Sequence, residues 1–289
     1  MDKIKIGVGV SSIGRFLPLA GKAAGLFEKE NIAVEVVNRQ DEERVVTDMI
    51  THEVPIGTPN APSLIFSLLE GNDLVIIGGI LNRPVFYLVA NAAVGGITDL
   101  HGRKIGINQP RRMAGMVMLA LCRRWRFDVD HDLDLVHLGL NDKSLAALRS
   151  GHIDAALLPP EKAFVAEEEG FRLIATSLEL DCHWVPLATT RSFLVSHPEL
   201  VKKIVSIYVE SIRFFKTHPQ EVLSDLALWL PALEKRPRVL KRCYELFAEH
   251  FEPTLKPSLG SLGSVLGEIA LQDPRAKNVK AERLVEDLL

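Results

Sequence analysis

The chain opens with an alternation of apolar and polar positions. Ile4, Ile6, Val8 and Val10 fall on one face and Lys3, Lys5, Gly7 and Gly9 on the other, which predicts a strand over 3–10. The period then changes. Phe16, Leu19, Ala20, Ala23, Leu26 and Phe27 recur three and four apart, so 16–29 reads as a helix with Pro18 tolerated near its start. A strand at 33–37, a helix at 42–50 and a short strand at 54–57 follow. Next come a helix at 61–69 stopped by Gly71 and an apolar, buried strand at 74–80.

The same order returns from Lys104. Strands at 104–108, 134–137, 153–158 and 172–175 alternate with helices at 113–125, 142–150 and 161–168. Gly151 and Gly170 stand where two of those helices end. Corresponding elements lie roughly a hundred positions apart, although residue identity is low. Strands alternating with helices imply a mainly parallel sheet in each half. After about residue 190 only helical patterns remain, near 197–217, 220–230, 237–250, 258–271 and 279–288, with Ser196 as the expected N-cap of the first.

A helical tail must bury its apolar faces on something, and the first lobe is the economical choice. The expected fold is therefore α/β, with two doubly wound lobes joined by a hinge and the tail on the first. Residues 1–92 plus 190–289 form the first lobe and 97–182 the second, with crossings at 90–96 and 180–191. Two such lobes make a clamp that closes by hinge rotation.

In open parallel sheets, ligands sit beyond the carboxyl ends of the strands, where helix N-termini point inward. Those ends carry Ser12, Gly14, Arg15, Phe16, Thr58, Asn60, Asn82 and Arg83 in the first half, and Gln109, Arg111, Arg112, Met113 and Pro160 in the second. Trp184 joins them as an apolar wall, with Phe16 and Met113. Four arginines against one acid, Glu161, point to an anionic ligand, which the helix dipoles also favour. Arg111, directly after Pro110, is the arginine expected to carry charge recognition, with Arg112 turned by about 100° toward solvent.

Composition narrows the classes. Apolar residues make up 47% of the 289 and charged residues 25%, which suits packed cores, and a net charge of −3 without a basic run argues against nucleic acid. Cys122, Cys182 and Cys243 are in no metal spacing, and Cys122 and Cys243 read as buried helix residues. Asp128-Val129-Asp130-His131-Asp132-Leu133-Asp134 resembles a calcium loop but lacks Gly at its sixth place and Glu at its twelfth. The spaced glycines from Gly7 to Gly14 match no dinucleotide fingerprint. Arg123, Arg124 and Arg126 complement a helix C-terminus. No cofactor, metal or catalytic residue is expected.

Four stretches carry a family likeness. They are Phe16 to Glu30, Gly57-Thr58-Pro59-Asn60-Ala61, Asp99-Leu100-His101-Gly102-Arg103-Lys104-Ile105-Gly106, and Leu145 to Ala156. In these the chain resembles the type II periplasmic binding proteins, and among them the nitrate/sulfonate/taurine-type group with its NMT1/THI5-like relatives. The resemblance implies a monomeric solute-binding protein of an ABC importer, periplasmic after loss of a leader, delivering a small molecule to a permease. Two alternatives share the fold: a cytosolic enzyme of menaquinone- or thiamine-precursor type, and a sensory ligand-binding module. Pro110-Arg111-Arg112-Met113 departs from the small residues often found there in relatives, so the resemblance does not carry a substrate.

Overall fold

The computed structural model describes residues 2–139 and 141–288. The chain divides into two compact units, residues 1–82 with 182–289 and residues 83–181.

In the first unit β1 (Asp2–Val8) sends Ile4, Ile6 and Val8 into the core, as its alternation predicts. The predicted helix over 16–29 is two: α1 (Leu17–Ala23) and α2 (Leu26–Lys29). They are separated at Gly25, whose φ of 67° is a left-handed conformation suited to glycine. β2 (Ile32–Asn38), α3 (Glu42–Ile50), β3 (Ile56–Thr58), α4 (Ala61–Leu69) and β4 (Leu74–Leu81) complete the first pass. Asp41 caps α3 by accepting from the Glu43 and Arg44 N–H groups, and Asn60 caps α4 by accepting from Ser63.

The second unit contains β5 (Tyr87–Ala90), β6 (Lys104–Asn108), α5 (Met113–Arg124), β7 (Asp134–Gly139), α6 (Asn141–Arg149), β8 (Ala155–Leu158), α7 (Pro160–Glu168) and β9 (Arg172–Thr176). The chain then returns to the first unit through β10 (Val185–Thr190), α8 (Arg191–Ser196), α9 (Pro198–Thr217), α10 (Pro219–Trp229), α11 (Pro237–His250) and α12 (Leu259–Ala270).

The sheets have matching strand orders, β2-β1-β3-β10-β4 and β7-β6-β8-β5-β9. In each, the first three strands are parallel and the fourth is antiparallel, contributed by the strand that follows a crossing. This places the first crossing earlier than the sequence suggests. Tyr87–Ala90 pairs with β8 and β9, so the boundary falls at Asn82/Arg83 and not within 90–96. The second boundary is at Asp181/Cys182.

The helical tail packs on the first unit. Gly21 lets α1 approach α9, since a Cβ there would lie 2.3 Å from Ser211 Oγ. Two details of the tail differ from expectation. Ser196 ends the short helix α8, so His197 stands at the N-cap of α9. The segment expected to be helical over 279–288 is a short 3-10 turn, after which Val285 bridges to Ile76 and the Glu286 N–H donates to the Ile76 carbonyl. That bridge covers part of β4, an edge strand whose outer side is also met by the tail, where the Gly79 N–H donates to the Leu255 carbonyl and the Glu252 N–H to the Ile80 carbonyl. Among the described residues no helix is long and apolar enough to cross a membrane.

Candidate functional site

Within each unit, the sequence-predicted residues gather at the carboxyl edge of the sheet. In the first unit, Ser12–Phe16 follows β1, Thr58 and Asn60 follow β3, Asn82 follows β4, and Trp184 enters antiparallel β10 beside Leu81. The Trp184 N–H donates to the Leu81 carbonyl, and the Trp184 carbonyl accepts from Ala61. Thr58 is fully buried and Asn60 nearly so, with the Asn60 side-chain oxygen Oδ1 committed to its capping bond. Asn82 is tied to the tail, donating to the Lys256 carbonyl and accepting from the Ser258 N–H.

Arg15 is the chief surprise. It was expected at a loop surface, yet only 1% of its area is exposed, and its Nη2 donates to Glu42 Oε1 at 2.9 Å. Its guanidinium carbon stands 5.9 Å from the centre of the Trp184 ring, within cation–π reach. Arg15 Nε and Nη1, Glu42 Oε2 and the Tyr208 hydroxyl are buried with no hydrogen-bond partner among the described residues. Glu42 was not anticipated, because an acid at the first position of a helix reads as simple dipole complementation. Burial pushes its carboxyl above the ordinary carboxylate range, against the opposing pull of Arg15 and the Asn60 N–H.

The β1–α1 loop is also held from its other side. Trp229, at the end of α10, donates its indole N–H to the Ser12 carbonyl at 3.2 Å. Trp229 and Phe16 line a groove of about 520 Å³ that runs along α1 and α10. Gly14 sits against Leu81 and Phe247, where a Cβ would come within 3.1 and 3.3 Å of them.

In the second unit, Gln109–Met113 follows β6 and Pro160 opens α7 after β8, the strand beside β6. Gln109 and Arg111 are exposed, Arg112 is half-buried at the N-cap of α5, and Met113 is buried, so of the two arginines it is Arg111 and not, as expected, Arg112 that is the more open to solvent. Gly115 makes this turn possible, since a Cβ there would lie 2.3 Å from the Gln109 carbonyl oxygen and 2.7 Å from that of Asn108. Arg83 precedes β5, whose start pairs with the end of β8, so it shares this edge, with its Nε 3.7 Å from Asp181.

The charge balance at these ends is therefore less one-sided than the loops suggest. Glu42 meets Arg15, and Asp181 lies near Arg83; neither acid belongs to the loops that were counted. Elsewhere, the acidic loop at 128–134 uses its carboxylates on its own backbone: Asp128 accepts from Asp130 and Asp132 accepts from Asp128. Arg124 and Trp125 both donate to Glu179.

The NMT1/THI5-like family model matches residues 17–222. The chain belongs to that family. Its fold is that of the type II periplasmic binding proteins, as full-length structural matches show. The aliphatic sulphonate-binding protein SsuA of Escherichia coli superposes with a TM-score of 0.81 at 15% identity, covering 99% of this chain and 97% of that one. The alkanesulfonate-binding protein SsuA of Xanthomonas axonopodis pv. citri, solved bound to MOPS, gives 0.79 at 15% identity, with 99% of each chain covered. A protein of Bordetella bronchiseptica RB50 gives 0.78 at 18% identity, covering 99% of this chain and 95% of that one. Comparison with curated proteins gave no match.

Proposed function

We propose that this protein is the solute-binding component of an ABC importer, acting outside the cytoplasmic membrane and handing a small organic molecule to a permease without transforming it. The observation that carries this reading is the convergence of Ser12–Arg15, Thr58, Asn60 and Trp184 at one sheet edge, and of Gln109–Met113 and Pro160 at the equivalent edge of the other unit. Binding sites of open α/β sheets form at such edges. The sulfonate-binding function named for several proteins of this fold supports the same reading.

In this reading the solute takes contacts from both units, and the 82/83 and 181/182 crossings act as the hinge. The solute carries a negative charge, read by Arg111 at the start of α5, where the helix terminus favours an anion. Native mass spectrometry of the freshly purified protein tests the proposal. The expected result is a small molecule bound one to one and released on denaturation. Calorimetric titration with MOPS and with taurine then asks whether a sulfonate is accepted. Protein that carries no small molecule and binds neither probe would overturn the reading.

A further inference from the structure

Glu42 belongs to no motif, yet its carboxyl lies where three strand-end segments meet. One oxygen accepts from Arg15, which fixes the turn after β1. The other lies over Gly9, 2.3 Å from where a Cβ would stand, so only glycine leaves room for it at the end of β1. The turn after β3 joins through Ala61, whose N–H donates to the carbonyl of Trp184, while the Asn60 N–H draws on the Glu42 carboxyl. Arg15 in turn stands beside Trp184, at the entry to β10. A buried carboxylate–guanidinium pair is weak evidence for stability, because removing both charges from water costs much of what their attraction returns. Its geometric demand is stronger, since both groups must stay together once buried.

We propose that Glu42 is a positioning residue for solute capture: through Arg15, Gly9 and Asn60 it holds the Ser11–Phe16 and Thr58–Ala61 loops in one fixed arrangement. This rests on the reading of Ser12, Gly14, Thr58 and Asn60 as solute-facing. Glu42 itself need not touch the solute. Its partner, Arg15, gives Nη2 to the strut, while its Nε and Nη1 stay buried without a partner among the described residues.

Hydrogen exchange followed by mass spectrometry on the full chain, with no solute added, tests this. Glu42→Gln is expected to speed exchange at least about tenfold in peptides covering 9–16 and 57–63, while peptides from α11 stay unchanged. Arg15→Met with Glu42→Gln removes both charges at once. That double variant is expected to regain most of the melting temperature lost by either single change, because neither charge is left buried alone. Its two loops are expected to remain unprotected. A purely structural ion pair would restore both properties together, and that result would overturn the proposal. A uniform rise in exchange across the first unit would overturn it too. Should Glu42→Gln fold poorly, Glu42→Asp keeps the charge but shortens the reach by one methylene, and the same two loops are expected to loosen. Failure here leaves the proposed function standing, since no solute enters the measurement. Failure of the native mass spectrometry would remove the solute role while leaving the exchange pattern intact.

Discussion

His183 offers a test of the first unit's core in which the sign and size follow from its surroundings. The side chain is fully buried beside β4, with its Cε1 3.1 Å from the place of a Gly79 Cβ. Neither ring nitrogen has a hydrogen-bond partner among the described residues, and burial pushes the imidazole down to about 3. In the unfolded chain the same group titrates near 6.5. Below that pH the unfolded state takes up a proton that the folded state refuses until about pH 3. The stability present above pH 6.5 is therefore lost progressively as pH falls from there toward 3. Linkage makes the loss from this one residue about 2 kcal/mol between pH 8 and pH 5, and at most about 5 kcal/mol in all. His183→Met has similar volume and does not titrate. Urea unfolding, followed by tryptophan fluorescence, should show the wild type losing about 2 kcal/mol more than the variant between pH 8 and pH 5. At pH 8 the variant should lose no more than about 1 kcal/mol, since two unpaired polar atoms leave with the ring. Equal acid sensitivity of the two proteins would show that His183 finds a proton partner in the folded state and would refute the reasoning.

Gly115→Ala should destabilise the second unit by about 1–3 kcal/mol by thermal unfolding, because its Cβ would press on two backbone carbonyls that cannot yield as a flexible side chain can. Gly9→Ala should displace the Glu42 carboxyl and reproduce the loop-specific exchange of Glu42→Gln, with the α11 peptides unaffected. Once the solute is identified, calorimetry should find Arg111→Ala weaker by roughly 2–4 kcal/mol and Arg112→Ala by under about 1 kcal/mol; equal losses would reject that assignment. All three cysteines are buried, and desolvation lifts the Cys122 thiol to about 11, so it should resist a thiol reagent at pH 8 until urea is added.

Most of the fold was legible because its signals are local. Period-two strands, helical spacing and the glycines at 71, 151 and 170, all with positive φ in the structure, mark where elements begin and end. The two antiparallel strands were not legible in the same way. β5 has only four residues, Tyr87–Ala90, all apolar and without alternation. β10 is a central strand containing Pro186, which has no N–H to give to a ladder; the structure accommodates it at a register shift between Val185 and Pro186. Missing β5 is what moved the expected crossing from 82/83 to 90–96. At the candidate site the strand ends were readable, because topology alone brings loops after parallel strands to one edge. The Arg15–Glu42 pair was not, since its members are 27 residues apart and neither position has a distinctive pattern. Trp229 was missed for a similar reason: its bond to Ser12 spans 217 positions and joins a tail helix to the first loop.

The pairing of Arg15 also changes how the proposed solute would be read. A count of charges along loops treats every arginine as available, but a guanidinium already bonded to a buried carboxylate presents little net charge to a third group. In the proposed reading, the first unit would offer short polar groups at Ser12, Thr58 and Asn60, near the Arg15–Glu42 pair and beside the Trp229 bond to the Ser12 carbonyl. Such groups select by shape and hydrogen bonding, and their precision depends on how little the loops move. Arg111 and Arg112 lie at the start of a twelve-residue helix, whose terminus favours an anion. Residues at the strand edges of either unit can then vary without disturbing the sheets that place them.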